Sequence, residues 1–210
     1  MNINDMISNA GQLGRAFNGF SSTEEYQIGR TTSAIIMDRY TPHQGKENNY
    51  LQKVGSLLAA YSDMPETYAG YHFQILKGKE VNAFSTPGGF IFVTEGMLKL
   101  TKNEDELAAV LAHEIAHINL SHGTNALRQQ GITSVASKVG AAAMKEYGNQ
   151  WVSAATNVLE NRASLLVDTL ITKGYSRSQE YDADEYAVQL LTKTGYNPQA
   201  FVRVLEKMKT

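Results

Sequence analysis

Cysteine is absent from this chain of 210 residues. Without thiols there is neither a disulfide framework nor a thiolate metal site, so any bound metal must be held by histidine and carboxylate side chains. A chain without cysteine is equally compatible with the cytosol and with an oxidising compartment, so this absence does not define a location.

Charge of one sign and long apolar runs are also lacking. The formal net charge is −2 and no basic patch is interleaved with aromatic side chains, so we expect no nucleic-acid partner. No run of 18 apolar residues occurs, and the first residues, MNINDMISNAGQLGRAF, lack the apolar core of a secretory signal. The chain as it stands is expected to be soluble, although prior removal of a signal or an anchor would leave the same sequence.

The hydrophobic pattern predicts one α+β domain over residues 1–210, mostly α-helical. One helix is predicted over residues 22–40, with Ser22 or Thr23 as its N-cap, and a second over residues 47–61.

Between residues 68 and 94 the period changes to that of strands. Residues 71–75 alternate apolar and polar, whereas residues 81–84 and 90–93 are short apolar runs separated by a Pro-Gly-Gly turn. We therefore expect a small antiparallel sheet of about three strands, packed beside the helix that follows. Residues 1–21 are expected to be a flexible N-terminal segment.

The next helix is predicted to begin after Asn103, an N-cap with glutamate three residues later, and to end at Gly123. Its apolar side must be buried, so its histidines lie inside the fold. Residues 124–173 are rich in Ala, Ser, Val and Gly and predict a helical cover, with a membrane-surface element as the alternative. Two more helices are predicted over residues 178–194 and 198–209.

The helix predicted to begin after Asn103 carries His113-Glu114-Ile115-Ala116-His117, an H-E-x-x-H pattern. Histidines four residues apart lie one turn apart and about 40° around the helix axis, so both imidazoles can reach one ion. Glu114 points to the side where an activated water would lie. The arrangement is typical of zinc metalloproteases, in which the metal is a Lewis acid and the glutamate is a general base. If this five-residue motif is considered alone, an ordinary solvated or core helix is the alternative interpretation.

A catalytic zinc ion takes a third protein ligand and keeps one position for water. His122 lies five residues after His117, about 140° around the axis, and would face away from the metal if the helix continued. The metzincin pattern is excluded because it requires Gly and His where this chain has Leu120 and Gly123.

Glu180 and Asp184 are better candidates for the remaining positions. They are four residues apart and share one face of a predicted helix. One carboxylate can then bind the metal while the other orients a ligand histidine through its free ring N–H. A solvated acidic face near a helix N-terminus is the alternative.

Three segments follow one another along the chain, with the sequences VNAFSTPGGFIFVTEG (residues 81–96), HEIAHINLSHG (113–123) and YSRSQEYDAD (175–184). Together they resemble the M48 zinc metallopeptidases, a family that includes CAAX prenyl proteases, HtpX heat-shock proteases and soluble bacterial periplasmic proteases. The resemblance extends over roughly residues 24–208. Because the chain lacks the membrane-spanning helices of the first two groups, it is most similar to the soluble branch.

The resemblance implies a gluzincin in which His113, His117 and Glu180 bind one Zn²⁺ per chain. Glu114 would be the general base and Asp184 would support a metal ligand. The implied activity is that of a zinc-dependent endopeptidase that cleaves unfolded or misfolded polypeptides in extracytoplasmic protein quality control. The implied location is the bacterial periplasm or another extracytoplasmic compartment, and the resemblance leaves proximity to a membrane open.

Other residues are candidates for contacts with the substrate or the transition state. Arg177 and His122 are candidate donors to the oxyanion, although Arg177 has acidic neighbours with which it can pair. The strand with Asn82 is a candidate edge for backbone pairing with an extended substrate, and a central strand is the alternative. Four tyrosines lie near the motifs and are expected to pack, with a phenol that aids the oxyanion as the alternative: Tyr175, Tyr181, Tyr186 and Tyr196.

Two other functions remain open at this point. A latent or chaperone-like zinc-binding module with little proteolysis would keep the metal, but it would not need Glu114. A metal-dependent hydrolase of another bond is less well supported, because the chain has no phosphate-binding glycine loop and no nucleophile elbow. The sequence makes no prediction of oligomeric state.

Overall fold

The computed structural model describes residues 20–129 and 160–209. The described chain has the predicted α+β composition, with helices in the majority. The strands are β1 (His72–Leu76), β2 (Ala83–Thr86) and β3 (Phe90–Thr94). The helices are α1 (Ser22–Arg39), α2 (Glu47–Ala60), α3 (Glu95–Leu100), α4 (Glu104–Asn119), α5 (His122–Gln129), α6 (residues 160–173, ending in a π-helical turn over Thr169–Lys173), α7 (Arg177–Thr194) and α8 (Gln199–Met208).

Helix α4, which carries the H-E-x-x-H pattern, lies at the centre of the fold. Twelve of its sixteen residues are buried, which is more than the residues of a single helix face. The burial is this extensive because α2, α7, α8 and the sheet all pack against the helix. Its N-terminus is capped as predicted, since Oδ1 of Asn103 accepts the N–H of Glu106 at 3.0 Å. The histidines of the motif are therefore held by a packed core and not by a fraying helix end.

The sheet differs from the predicted antiparallel one. Its strand order is β1-β3-β2, with β2 antiparallel to β3 but β1 parallel to β3, so the sheet is mixed. Four of the five residues of β3 are buried, which is expected of a central strand covered on both faces. The uninterrupted apolar run Phe90-Ile91-Phe92-Val93 is the sequence signal for that central position.

The two edges of the sheet are formed by β1 and β2, and backbone groups along β1 form hydrogen bonds outside the sheet. Along β1, Oδ1 of Asn48 accepts the N–H of Ile75 at 2.9 Å, and Oε1 of Gln52 accepts the N–H of Phe73 at 3.1 Å. The N–H of His43 also donates to the carbonyl of Ile75 at 2.8 Å. Backbone groups on the outer side of β1 are thus paired, whereas β2 forms the opposite edge.

Two predicted boundaries were wrong by one or two residues. The second strand runs over Ala83–Thr86 and not over 81–84, and the turn after it contains Gly88 and Gly89 with φ of 78° and 103°, values that favour glycine. The N-cap of α1 is Ser21, whose hydroxyl accepts the N–H of Glu24 in a capping box, and neither Ser22 nor Thr23 has this role.

Two predicted segments lie largely outside the described residues. Of the N-terminal segment 1–21, only the last two residues are described. Of the predicted helical cover 124–173, residues 124–129 and 160–173 are helical, and residues 130–159 are outside the description. Within the described ranges, none of the helices combines the length and the apolar character needed to cross a bilayer.

Candidate metal centre

The three predicted ligands converge at one point. Helix α4 contributes His113 and His117, whose Nε2 atoms lie 3.0 Å apart. Helix α7 contributes Glu180, whose Oε2 is 3.4 Å from Nε2 of His113 and 4.0 Å from Nε2 of His117. All three donor atoms lie within 4.8 Å of one another.

This donor set fits a divalent metal ion. Two imidazole nitrogens and one carboxylate oxygen are the ligands of many catalytic zinc sites, which leave a fourth position open. His117 is buried at 4% exposure, while His113 and Glu180 are half-buried and face a cleft. The donors are therefore fixed by the fold and accessible from one side.

A second carboxylate lies on the far side of the first histidine. Oδ1 of Asp184, one turn after Glu180 on α7, is 3.1 Å from Nδ1 of His113. Burial opposes a charge on His113, but the carboxylates of Asp184 and Glu180 outweigh it and raise the pKa of the imidazole to about 10. Burial instead lowers the pKa of His117 far below its ordinary value. The two carboxylates thus favour positive charge on His113, whereas burial keeps His117 neutral.

Glu114 is buried at 6% exposure and lines the same cleft. Burial raises the pKa of its carboxyl group to about 7, against the opposing effects of the His113 charge and the Ser85 hydroxyl. A carboxylate with this pKa can accept and return a proton near neutral pH.

His122 is placed by a break in the helix that the sequence did not reveal. Helix α4 ends at Asn119, Ser121 adopts a left-handed φ of 56°, and α5 begins at His122. The predicted helix end at Gly123 was therefore wrong, since Gly123 lies in the first turn of α5. The reversal turns the His122 ring back, so that its Nδ1 lies 2.8 Å from Nδ1 of His117.

Tyr175 is the one tyrosine of the four predicted that lines the cleft. Its ring stacks on the imidazole of His117, with 4.4 Å between centroids and 24° between planes. Burial, together with the nearby charges of Glu114 and Glu180, raises the pKa of its phenol, so the hydroxyl stays protonated. The other three lie outside the cleft: Tyr181, Tyr186 and Tyr196.

Asn82 and Ala83 line the cleft at the β2 edge of the sheet. The carbonyl of Asn82 accepts the N–H of Thr94 at 3.0 Å, and antiparallel pairs alternate between bonded and non-bonded. The backbone groups of Ala83 and Ser85 therefore point away from β3, toward the outer edge. Arg177 is exposed in the first turn of α7 and does not line the cleft.

The cleft has a volume of about 320 Å³ and an apolar wall that was not predicted. Val110 stands one turn before His113 on α4, and the ring of Phe201 on α8 stacks on His113 with 5.9 Å between centroids. The position of Val110 was deducible from helical spacing. That of α8 was not, because it depends on packing between distant segments.

A buried helix that presents two histidines and a glutamate to a cleft, together with a carboxylate from a second helix, is the arrangement of H-E-x-x-H metallopeptidases. Residues 45–209 match the sequence profile of peptidase family M48. The chain therefore belongs to peptidase family M48.

Several relatives are similar over much of this chain. The β-barrel assembly-enhancing protease of Escherichia coli is 27% identical over 159 residues, which are 76% of this chain and 32% of that protein. The mitochondrial metalloendopeptidase OMA1 of Schizosaccharomyces pombe is 29% identical over 92% of this chain and 55% of that protein. The metalloprotease LoiP of Escherichia coli is 28% identical over 65% of this chain and 51% of that protein. The chain thus spans from about a third to just over half of the length of these relatives.

Proposed function

We propose that this chain is a zinc-dependent endopeptidase that cleaves unfolded or misfolded polypeptides in extracytoplasmic protein quality control. The observation that carries the proposal is the convergence of His113, His117 and Glu180 beside the buried carboxylate of Glu114. Relatives named for β-barrel assembly and for the mitochondrion support work close to a membrane, and the bacterial periplasm is the location we infer.

In this proposal one Zn²⁺ per chain is held by Nε2 of His113, Nε2 of His117 and the carboxylate of Glu180. The bound ion supplies Lewis acidity, which lowers the pKa of a water molecule and polarises the scissile carbonyl. Two imidazole nitrogens and one carboxylate oxygen are typical ligands of a zinc ion that keeps one position open. Magnesium and calcium instead prefer shells made only of oxygen ligands.

Two further side chains orient the ligand histidines. Each histidine that binds through Nε2 carries its proton on Nδ1. Nδ1–H of His113 then faces the carboxylate of Asp184 at 3.1 Å, and Nδ1–H of His117 donates to Nδ1 of His122 at 2.8 Å. Such partners hold the ring plane and make the other nitrogen a better donor to the metal.

Glu114 is the general base. Its carboxylate accepts a proton from the attacking water as the oxygen of that water adds to the scissile carbonyl carbon. It returns the proton to the amide nitrogen as the C–N bond breaks, so that the amine leaves neutral. In the metal-free chain burial raises the pKa of this carboxyl group to about 7, where neither form is strongly preferred.

In this proposal the substrate backbone pairs with the outer edge of β2 beside the cleft. Ala83, which is partly exposed and lines the cleft, directs its N–H and C=O groups outward, where an extended peptide would extend the sheet by one strand. The opposite edge, along β1, is already paired with the side chains of Asn48 and Gln52. Recognition of backbone groups requires an unfolded segment and tolerates many sequences.

The test is cleavage of an intrinsically disordered protein by the zinc-loaded chain, by Glu114→Gln and by Glu185→Gln. Glu185 is exposed on α7 and lies outside the cleft, so its variant controls for the change in charge. We expect the wild-type chain and Glu185→Gln to cleave and Glu114→Gln to lose activity. If all three bind one zinc ion and none cleaves, the endopeptidase proposal is wrong and a latent or chaperone-like zinc module is favoured.

A further inference from the structure

The metal ligands come from two helices, α4 and α7, that pack together along apolar side chains. On α7 the fully buried residues, called the α7 seam below, are Ala183, Ala187, Leu190 and Leu191. Apolar contacts are not directional, so this seam by itself would tolerate small rotations of α7 about its axis. A metal site tolerates much less, since metal–donor distances vary by only about 0.2 Å. The rotation of α7 must therefore be fixed by a directional contact.

A hydrogen bond between the two helices supplies such a contact. The hydroxyl of Tyr186 on α7 donates to Oδ1 of Asn119 on α4 at 3.0 Å and accepts the N–H of Asp63 at 2.8 Å. Burial raises the pKa of this phenol, so it stays a donor at neutral pH. Tyr186 is two residues beyond Asp184, and Asn119 is two residues beyond His117. The bond thus joins the two helices close to the residues that converge on the metal.

The amide of Asn119 is itself held in one orientation. Its Nδ2 donates to the carbonyl of Ile115 at 2.9 Å and to the hydroxyl of Tyr71 at 3.2 Å. The Tyr71 hydroxyl in turn donates to the carbonyl of Met64 at 2.9 Å. A flip of the amide would break both bonds of Nδ2, so Oδ1 is kept toward Tyr186.

Tyr186 and the metal ligand of α7 lie on opposite sides of the α7 seam. At 100° per residue, Tyr186 is about 120° around the helix axis from Glu180, with Ala183 and Ala187 between them. Helix α7 therefore contacts α4 at a polar point on each side of its apolar face. A rotation that moves Glu180 away from the two histidines changes the distance from Tyr186 to Asn119 as well.

We propose that Tyr186 is a positioning residue that fixes the rotation of α7 through Asn119 and so keeps Glu180 at the metal point. The inference rests on the proposed zinc endopeptidase function and adds to it the contact that aligns the two ligand-bearing helices. Without the hydrogen bond, α7 would also populate rotations in which Glu180 is not aligned. The apparent metal affinity falls in proportion to the fraction of chains in the aligned state.

The first experiment compares two tyrosine-to-phenylalanine variants of the full chain. Competition with a chromophoric chelator should show zinc binding at least about 3-fold weaker in Tyr186→Phe. Tyr71→Phe is the matched control, because it removes a hydroxyl of the same network while the Ile115 carbonyl still holds the amide of Asn119. It should keep the wild-type zinc affinity even where urea denaturation in EDTA shows lower stability. Wild-type affinity in Tyr186→Phe, or an equal loss in both variants, overturns the proposal.

A double-mutant cycle tests whether Tyr186 acts through Asn119. Asn119→Leu, Tyr186→Phe and the double variant should all weaken zinc binding by the same factor, because each removes the same bond. Asn119→Leu carries the test alone if Tyr186→Phe does not fold. Factors that multiply in the double variant overturn the proposal. The expected pattern in a chain that cleaves no polypeptide supports it and counts only against the endopeptidase function, whereas a wild-type chain that binds no zinc overturns both.

Discussion

The Nδ1 atoms of His117 and His122 lie 2.8 Å apart, and both rings are buried at 4% exposure. Ser121, with its left-handed φ, makes the contact by reversing the chain immediately after α4. One of the two nitrogens must carry the proton and the other must accept it. Because His117 directs its Nε2 at the ligand point, His122 is the acceptor and carries its own proton on Nε2.

The first prediction follows from this contact. His122→Leu removes the acceptor for His117 and should weaken zinc binding about 10- to 100-fold, whereas His122→Gln keeps a carbonyl acceptor and should recover part of the loss. Competition with a chromophoric zinc chelator measures the affinities. His72→Leu, at an exposed histidine on β1, is the control and should bind zinc as the wild-type chain does. Wild-type affinity in His122→Leu would exclude an orienting role.

The second prediction compares two glutamates of α7. Glu180→Gln should bind zinc at least about 10-fold more weakly, because a neutral amide replaces a converging carboxylate, while Glu185→Gln should match the wild-type chain. Zinc at 100 times its Kd stabilises a folded chain by about 2.7 kcal/mol. Thermal denaturation with zinc and with EDTA should therefore show a zinc-dependent Tm increase that is reduced by about half or more in Glu180→Gln, because a 10-fold weaker Kd leaves a stabilisation of about 1.4 kcal/mol. An equal increase in both variants would mean that Glu180 is not a ligand.

The third prediction concerns the metal-free chain and the buried carboxyl of Glu114. Its pKa rises on folding from 4.5 to about 7, so the contribution of this group to native stability is fully present below about pH 4.5 and is lost as the pH rises through 7. Replacing the carboxyl group of Glu114 with an amide should remove this loss of stability at high pH. Glu114→Gln is expected to be more stable than the wild-type chain by up to about 3 kcal/mol at pH 8 and by much less at pH 5.

Urea denaturation in EDTA at the two pH values measures this difference in the free energy of unfolding. Glu185→Gln should show no comparable dependence on pH, because that side chain is exposed. A Glu114→Gln chain that is less stable than the wild-type chain at pH 8 would mean that the carboxylate is well paired in the native state.

The fourth prediction concerns the ion pairs that attach α8 to α4. The Glu106 side chain is 3% exposed and lies against Lys207, Arg203 and the N–H of Lys102. Burial alone would raise the pKa of its carboxyl, but the Lys207 charge and the Lys102 N–H outweigh burial and lower it. Its stabilising effect is therefore present above the ordinary glutamate pKa and is lost as the pH falls through the lowered value.

Glu106→Gln should reduce the free energy of unfolding by about 1–3 kcal/mol at pH 7, and the difference should shrink below about pH 4. Chemical denaturation as a function of pH provides the measurement, with Glu206→Gln on the exposed side of α8 as the control. Equal stability of Glu106→Gln and the wild-type chain at pH 7 would show that apolar packing alone holds α8 in place.

Local patterns were enough to predict much of the fold and most of the candidate site. Helical spacing put His113 and His117 on one side of a helix, and the same spacing paired Glu180 with Asp184. Alternation identified β1, with Phe73 and Ile75 directed into the core. These predictions depend on residues only a few positions apart, whose relative directions are set by the backbone geometry of one helix or strand.

The sequence by itself thus determined the motif helix, the α+β composition and the set of metal-ligating residue types. Only the tertiary structure decided that β3 is central, that His122 returns to His117, and that Phe201 of α8 forms part of the apolar wall of the cleft. Each of these depends on contacts between segments distant in sequence or on one reversed φ angle at Ser121. Periodicity within an element carries no information about such contacts, because many arrangements of the same elements satisfy it and the packing of the whole core selects one.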